Sequence, residues 1–240
     1  MTPAGTTPSA AADDHPPHRS DDYRSSVLRS PSHPPVVAPA TVTELTGPGP
    51  VEAALLDTGA EDADLTRSGP GESTVIGART IITGHVLDQR GEPLPGVVID
   101  IWQADASGRY NHWRETEYPA PRDPAFRGVG RVRTGGDGVY RFLTIRPGPY
   151  PWANHPNAWR PAHIHLSVLG PTLRSRLVTQ LYFPGDPLLE LDPIFRAVPL
   201  HSRHRLVCRY DHEVSEPNWA TGYRFDIVLA GADATPRTPT

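Results

Sequence analysis

Seven stretches of the chain read as strands, and most of them alternate apolar and polar residues with a period of two. They are 79–88 (RTIITGHVLD), 97–105 (VVIDIWQAD), 138–145 (GVYRFLTI), 162–170 (AHIHLSVLG), 176–183 (RLVTQLYF), 205–210 (RLVCRY) and 223–231 (YRFDIVLAG). Strand side chains alternate faces, so each stretch predicts a strand that buries one face. Turn-forming clusters such as QRGEPLPG and TGGD separate them. Residues 1–75 hold no helical period sustained over three turns. Twenty-nine prolines and 21 glycines also argue against a helical bundle. The pattern predicts an all-β fold, a sandwich or barrel, with long loops over 106–135 and 146–161.

The flanks differ in kind. Residues 1–20 are rich in Pro, Ala, Thr, Ser and Asp and predict a disordered tail. Residues 21–75 carry scattered apolar side chains, including Val27, Leu28, Val36, Val37 and Leu45, and predict an irregular arm lying on the domain or on a partner. The β domain is expected over 76–232, with a second disordered tail over 233–240. A net charge of −4 gives no basic footprint for nucleic acid. No apolar run approaches the roughly 18 residues of a membrane span. The first twenty residues lack the basic and apolar regions of a secretory signal. A single cysteine, Cys208, excludes an internal disulfide, so a cytoplasmic location is expected.

The stretch WRPAHIHLSV costs its strand part of an apolar face. His163 and His165 point the same way, while Ile164, Leu166 and Val168 point oppositely, toward a core. Two imidazoles two residues apart on a strand are a common way to offer nitrogen ligands to one metal, though they also suit an ordinary half-solvated face. No Asp or Glu lies near His163 in sequence, but Tyr110 and Tyr150 sit in loops. Each suits simple packing. As phenolates, however, two tyrosines beside two imidazoles would favour Fe(III) over Fe(II) or Zn(II) by charge and hardness.

Three longer segments narrow the choice. GHVLDQRGEPLPGVVIDIWQADASGRYNHW, TIRPGPYPW and WRPAHIHLSVLG resemble the signature segments of the intradiol ring-cleavage dioxygenases. VTQLYFPGDPL, YRFDIVLAG and, more weakly, DDYRSSVLRSPSH extend the resemblance over about residues 21–232. It is strongest to the iron-bearing chain of the two-chain members. The resemblance implies a β-sandwich enzyme binding one non-haem Fe(III) through Tyr110, Tyr150, His163, His165 and a solvent hydroxide. It implies cleavage of an aromatic diol with O2, the substrate being protocatechuate and the product 3-carboxy-cis,cis-muconate, as part of aromatic catabolism. It gives Tyr150 a second role as the ligand that leaves to accept a substrate proton, and Arg160 the role of stabilising negative charge on the reacting ring. Gln180 would support Arg160; Trp152, Tyr182 and Ile194 would line the ring slot; Tyr23 would reach the substrate carboxylate. A partner α chain of similar fold is implied as well. A catechol or hydroxyquinol 1,2-dioxygenase is the first alternative, and a non-catalytic β-sandwich binding module the second.

Overall fold

A computed structural model describes residues 16–17, 19–31, 33, 63–67, 74–112, 118–152, 158–170 and 176–238. Eleven strands are found among them: β1 (Arg79–Leu87), β2 (Val98–Trp102), β3 (Val129–Arg133), β4 (Val139–Ile145), β5 (Tyr150–Pro151), β6 (Trp159–Arg160), β7 (His163–Leu169), β8 (Arg176–Tyr182), β9 (Arg209–Tyr210), β10 (Thr221–Arg224) and β11 (Ile227–Val228). Two short helices join them, α1 (Arg24–Arg29) and α2 (Pro193–Ala197).

In one sheet β1 is central. It pairs antiparallel with β4 along one edge and parallel with β10 and then β11 along the other. The second sheet runs β3-β2-β7-β8, antiparallel throughout. A single apolar cluster takes Ile82, Val86, Tyr140 and Phe142 from the first sheet and Ile99, Ile101, Ile164, Leu166 and Leu181 from the second. The two sheets therefore pack face to face as an all-β sandwich. β5 and β6 form a separate two-stranded ribbon.

Five predicted strands appear nearly as expected. Two do not. The 223–231 stretch breaks at Phe225 and Asp226, where Asp226 Oδ1 accepts the backbone N–H of His85 (2.8 Å) in place of a ladder carbonyl. The 205–210 stretch begins instead inside a 3-10 turn over Leu200–Leu206, leaving only Arg209–Tyr210 as strand. β3 lies in a region expected to be loop, because Val129 and Val132 are its only large apolar residues.

The expected tail over 233–238 is corrected. Ala234, Thr235 and Thr238 are buried. Thr238 N–H donates to Val178 O on β8 (3.2 Å), Thr235 N–H donates to Val228 O (2.9 Å), and the Thr179 hydroxyl donates to Pro236 O (2.7 Å). β8 is the outer strand of its sheet, and the tail satisfies edge carbonyls that apolar composition does not reveal. Most of the expected 1–20 tail, and Val36, Val37 and Leu45 of the arm, lie outside the described residues. The described part of the arm packs on the domain. Tyr23 is buried beside α1, and Leu65 joins the core through its N–H to Leu143 O (2.9 Å).

Candidate metal centre

Strand register builds one wall of the site. On β7, His163 pairs with Tyr182 and His165 with Gln180 of β8; across the other edge His165 pairs with Trp102 of β2. These residues share one face, opposite the Ile164 and Leu166 side. Trp102 stacks on the His165 ring (centroids 4.8 Å, 8° between planes) and fixes its plane.

Two loops supply the rest. After β2 the chain turns at Asp105, a buried carboxylate. Its Oδ1 accepts Ser107 N–H (2.8 Å) and Arg109 N–H (2.9 Å), and its Oδ2 accepts Asp123 N–H (2.9 Å). Gly148 N–H donates to Asp105 O (2.9 Å), tying this loop to the one that carries Tyr150. At Gly108, φ is +81°, and a Cβ would lie 2.4 Å from Pro149 O, so the two backbones meet where only glycine fits. Tyr110 and Tyr150 follow from the two loops, and β5–β6 pairing sets Tyr150 directly across from Arg160.

The four expected ligands converge. Tyr110 OH lies 3.1 Å from His165 Nε2 and 3.4 Å from Tyr150 OH, and Tyr150 OH lies 3.3 Å from His163 Nε2. Donors sharing one ion at about 2.0–2.2 Å stand roughly 2.8–3.6 Å apart, so the residues fit a single metal. Among the described residues no three His, Cys, Asp or Glu side chains gather, so a centre here takes its mixed oxygen and nitrogen donors from Tyr and His. His163 Nδ1 donates to Pro161 O (2.7 Å), which leaves the Nε2 lone pair facing the other donors. Burial, then the Arg160 charge and His165, hold His163 well below the usual imidazole range. Burial and Arg160 bring His165 down to about 3. Both rings are therefore neutral, as metal ligands must be.

Arg160 is buried at the edge of this set, with Nη1 3.0 Å from His163 Nε2. Its Nη2 donates to Gln180 Oε1 (2.5 Å), Asp192 Oδ2 (2.9 Å) and Tyr182 OH (3.2 Å). Burial opposes the charge on Arg160, but the Asp192 carboxylate, with Tyr150 and Tyr182, raises its pKa well above the usual value. The guanidinium lies over Trp152 (5.3 Å), which in turn stacks on Tyr23 (5.2 Å). Tyr182 is wholly buried, and its hydroxyl joins Arg160, Gln180 and Asp192; it stands beneath the arginine, not along an open slot. Ile194 is buried in the first turn of α2, beside Asp192. Arg160 Nε, Trp152 Nε1 and His165 Nδ1 are buried with no hydrogen-bond partner among the described residues, which is costly unless something bound uses them. Sequence reasoning missed Asp192, Asp105 and Trp102. Asp-Pro at a helix start and Asp-x-Ser-Gly are capping and turn signals that could have marked the two acids.

A family model described as Dioxygenase matches residues 47–231. The protocatechuate 3,4-dioxygenase beta chain of Burkholderia cepacia is 49% identical over 222 residues, covering 92% of this chain and 93% of that one. The chain belongs to the intradiol ring-cleavage dioxygenase family. A second model, Protocatechuate 3,4-dioxygenase beta subunit N terminal, matches residues 8–41 of this dioxygenase. A chlorocatechol 1,2-dioxygenase from Rhodococcus opacus is 39% identical over 48% of this chain and 48% of its own. Among solved structures, the dioxygenase domain of a carbohydrate-binding fusion from Streptomyces sp. SirexAA-E is 30% identical, with a TM-score of 0.50 over 73% of this chain and 94% of that one. The all-β sandwich is thus the frame of an intradiol dioxygenase, and the Tyr110, Tyr150, His163, His165 cluster is its candidate metal centre.

Proposed function

We propose that this dioxygenase is the iron-bearing subunit of a two-chain enzyme that cleaves protocatechuate with O2 to 3-carboxy-cis,cis-muconate. The observation that carries the reading is the unbroken run of two phenols and two neutral imidazoles at 3.1–3.4 Å. Such a set, with both phenols ionised, suits Fe(III) in a site of low net charge. Bound there, Fe(III) supplies a Lewis acid that draws electron density from a deprotonated catechol, opening the ring carbon to O2.

The chain's own residues do the remaining work. Tyr110, His163 and His165 hold the ion. Tyr150, as phenolate, accepts one proton from the diol at its Oη. Arg160 presents a permanent positive charge where negative charge grows on the ring and oxygen. Gln180, Tyr182 and Asp192 keep that charge in place. Trp152 and Ile194 bound the ring slot. Tyr23, whose hydroxyl accepts from Arg29 Nη2 (3.1 Å), supplies the contact for the substrate carboxylate. A second, iron-free chain of similar fold completes the pocket. A cytoplasmic setting fits a chain whose single cysteine is a buried free thiol.

The test is iron content, visible absorption and oxygen uptake of the purified protein. One ferric ion per chain, a broad tyrosinate-to-iron band and faster cleavage of protocatechuate than of catechol or hydroxyquinol are expected. Arg160→Ala should keep the band and lose roughly 10²-fold in turnover. Colourless protein that stays inactive after iron loading would sink the reading. A preference for catechol or hydroxyquinol would replace the substrate and keep the chemistry.

A further inference from the structure

Asp192 is a fully buried carboxylate with two assignments. Its Oδ1 caps α2 by accepting Ile194 N–H (3.1 Å). Its Oδ2 accepts Arg160 Nη2 (2.9 Å) and the Tyr182 hydroxyl (3.1 Å). Its backbone is held too: its N–H donates to Leu188 O (3.0 Å), and its carbonyl accepts Arg196 N–H (2.9 Å). α2 itself is seated, through Phe195, in a smaller apolar cluster with Tyr182, Val198 and Leu206, and Phe195 meets the Tyr182 ring edge-on at 5.1 Å. The carboxylate therefore has a fixed address in the domain.

Arg160 depends on that address. Its other Nη2 partners, the Gln180 amide oxygen and the Tyr182 hydroxyl, are polar groups without the formal charge of a carboxylate. With Nη2 anchored on the Asp192 side, the rigid guanidinium fork turns Nη1 toward the metal donors, 3.0 Å from His163 Nε2. Without the carboxylate, a buried cation loses its counter-charge and has reason to swing toward water. We propose that Asp192 is the positioning residue that locks the Arg160 guanidinium against the metal centre for reaction with O2. The inference rests on the dioxygenase reading above.

The test compares four holoenzymes, each with its partner chain: wild type, Asp192→Asn, Arg160→Gln and the double variant. Asn keeps the volume and an oxygen for the α2 cap; if it fails to fold, Asp192→Ser retains a capping oxygen and takes its place. Asp192→Asn should keep full iron content and the visible band. It should lower kcat by about 10- to 100-fold while KM for the diol changes less than about threefold. In the Arg160→Gln background the same change should alter kcat by less than about twofold, because no guanidinium is left to hold. A crystal structure of Asp192→Asn should show Nη1 drawn away from His163. Normal kcat, loss of iron, or an equal kcat loss in both backgrounds overturns the inference. A wild type without iron or turnover sinks the functional reading instead. The link between Asp192 and Arg160 is then judged on thermal melts of the same four proteins, where additive Tm losses overturn it.

Discussion

A phenol oxygen and an imidazole nitrogen 3.1 Å apart, as at Tyr110 and His165, form an ordinary hydrogen bond. What makes the pair part of a candidate ligand set is the company: a second phenol, a second imidazole with its lone pair turned inward, and burial that, helped by a nearby guanidinium, keeps both rings neutral. The roles of the four are not equal, and substitution should separate them. Tyr110→Phe, His163→Ala and His165→Ala each remove a donor outright. Each should weaken iron binding by more than about 100-fold, since even groups one step behind a ligand cost roughly 10- to 100-fold. Tyr150→Phe should retain part of the iron, with an altered visible band, and lose turnover because the proton acceptor is gone. Iron titration of the four purified variants, followed at the visible band, checks the order. If Tyr150→Phe loses iron as completely as Tyr110→Phe, the leaving role is wrong. If His165→Ala binds iron normally, the donor set is wrong.

Elements bring these atoms together, and the tightest joint is between the Asp105–Tyr110 loop and the Gly148–Tyr150 loop. Gly108→Ala tests it. The added Cβ meets Pro149 O at 2.4 Å and Tyr150 Cβ at 3.0 Å, on a backbone with φ of +81°. Left-handed backbone alone costs roughly 1–2 kcal/mol, and the clash adds to it. A Tm fall of at least about 2–8 °C is expected in a chain of this size, together with weaker iron binding. Gly91→Ala is the control, with nearly the same φ of +80° and nothing within 4 Å of the new Cβ. It should lose stability to backbone strain and keep its iron; equal iron affinity in both variants would refute the joint. The same elements show what could be seen beforehand. β1, β2, β4, β7 and β8 declare themselves by alternation, because each buries one full face. β3 does not, since its pairing with β2 supplies what its own side chains lack. The gathering of Tyr110, Tyr150, His163 and His165 was legible because His-x-His sits on a strand and each tyrosine lies in its own recognisable segment. Asp192 was not, because a counter-ion is defined by where Arg160 folds to, and no local pattern carries that information. The 233–238 segment was misjudged because backbone bonds to β8 and β11 hold it in place of large apolar groups.

At the scale of the whole molecule, the described surface leaves large apolar side chains uncovered. Leu28 on α1 is 75% exposed, although Tyr23 and Ser26 on the same segment are buried against the domain. α1 is thus anchored on one side and open on the other. Tyr23, at its N-cap, begins the Tyr23–Trp152–Arg160 stack that reaches the candidate metal centre, so whatever covers α1 adjoins that centre. The second chain of similar fold proposed above is the partner expected there. Its interface is expected to be permanent, above roughly 2,000 Å². Expressed alone, the chain should be poorly soluble, weakly active or self-associated. Co-expressed with an iron-free partner chain, it should form a stable complex that cleaves protocatechuate. Leu28→Glu should weaken that complex, read as earlier dissociation on dilution in size-exclusion chromatography, while the iron band of the isolated subunit stays unchanged. That separation matters, because a loss of both would mean that α1 supports the fold and not the interface. A chain that is by itself a soluble, fully active homodimer preferring catechol or hydroxyquinol would overturn the partner and the carboxylated substrate together.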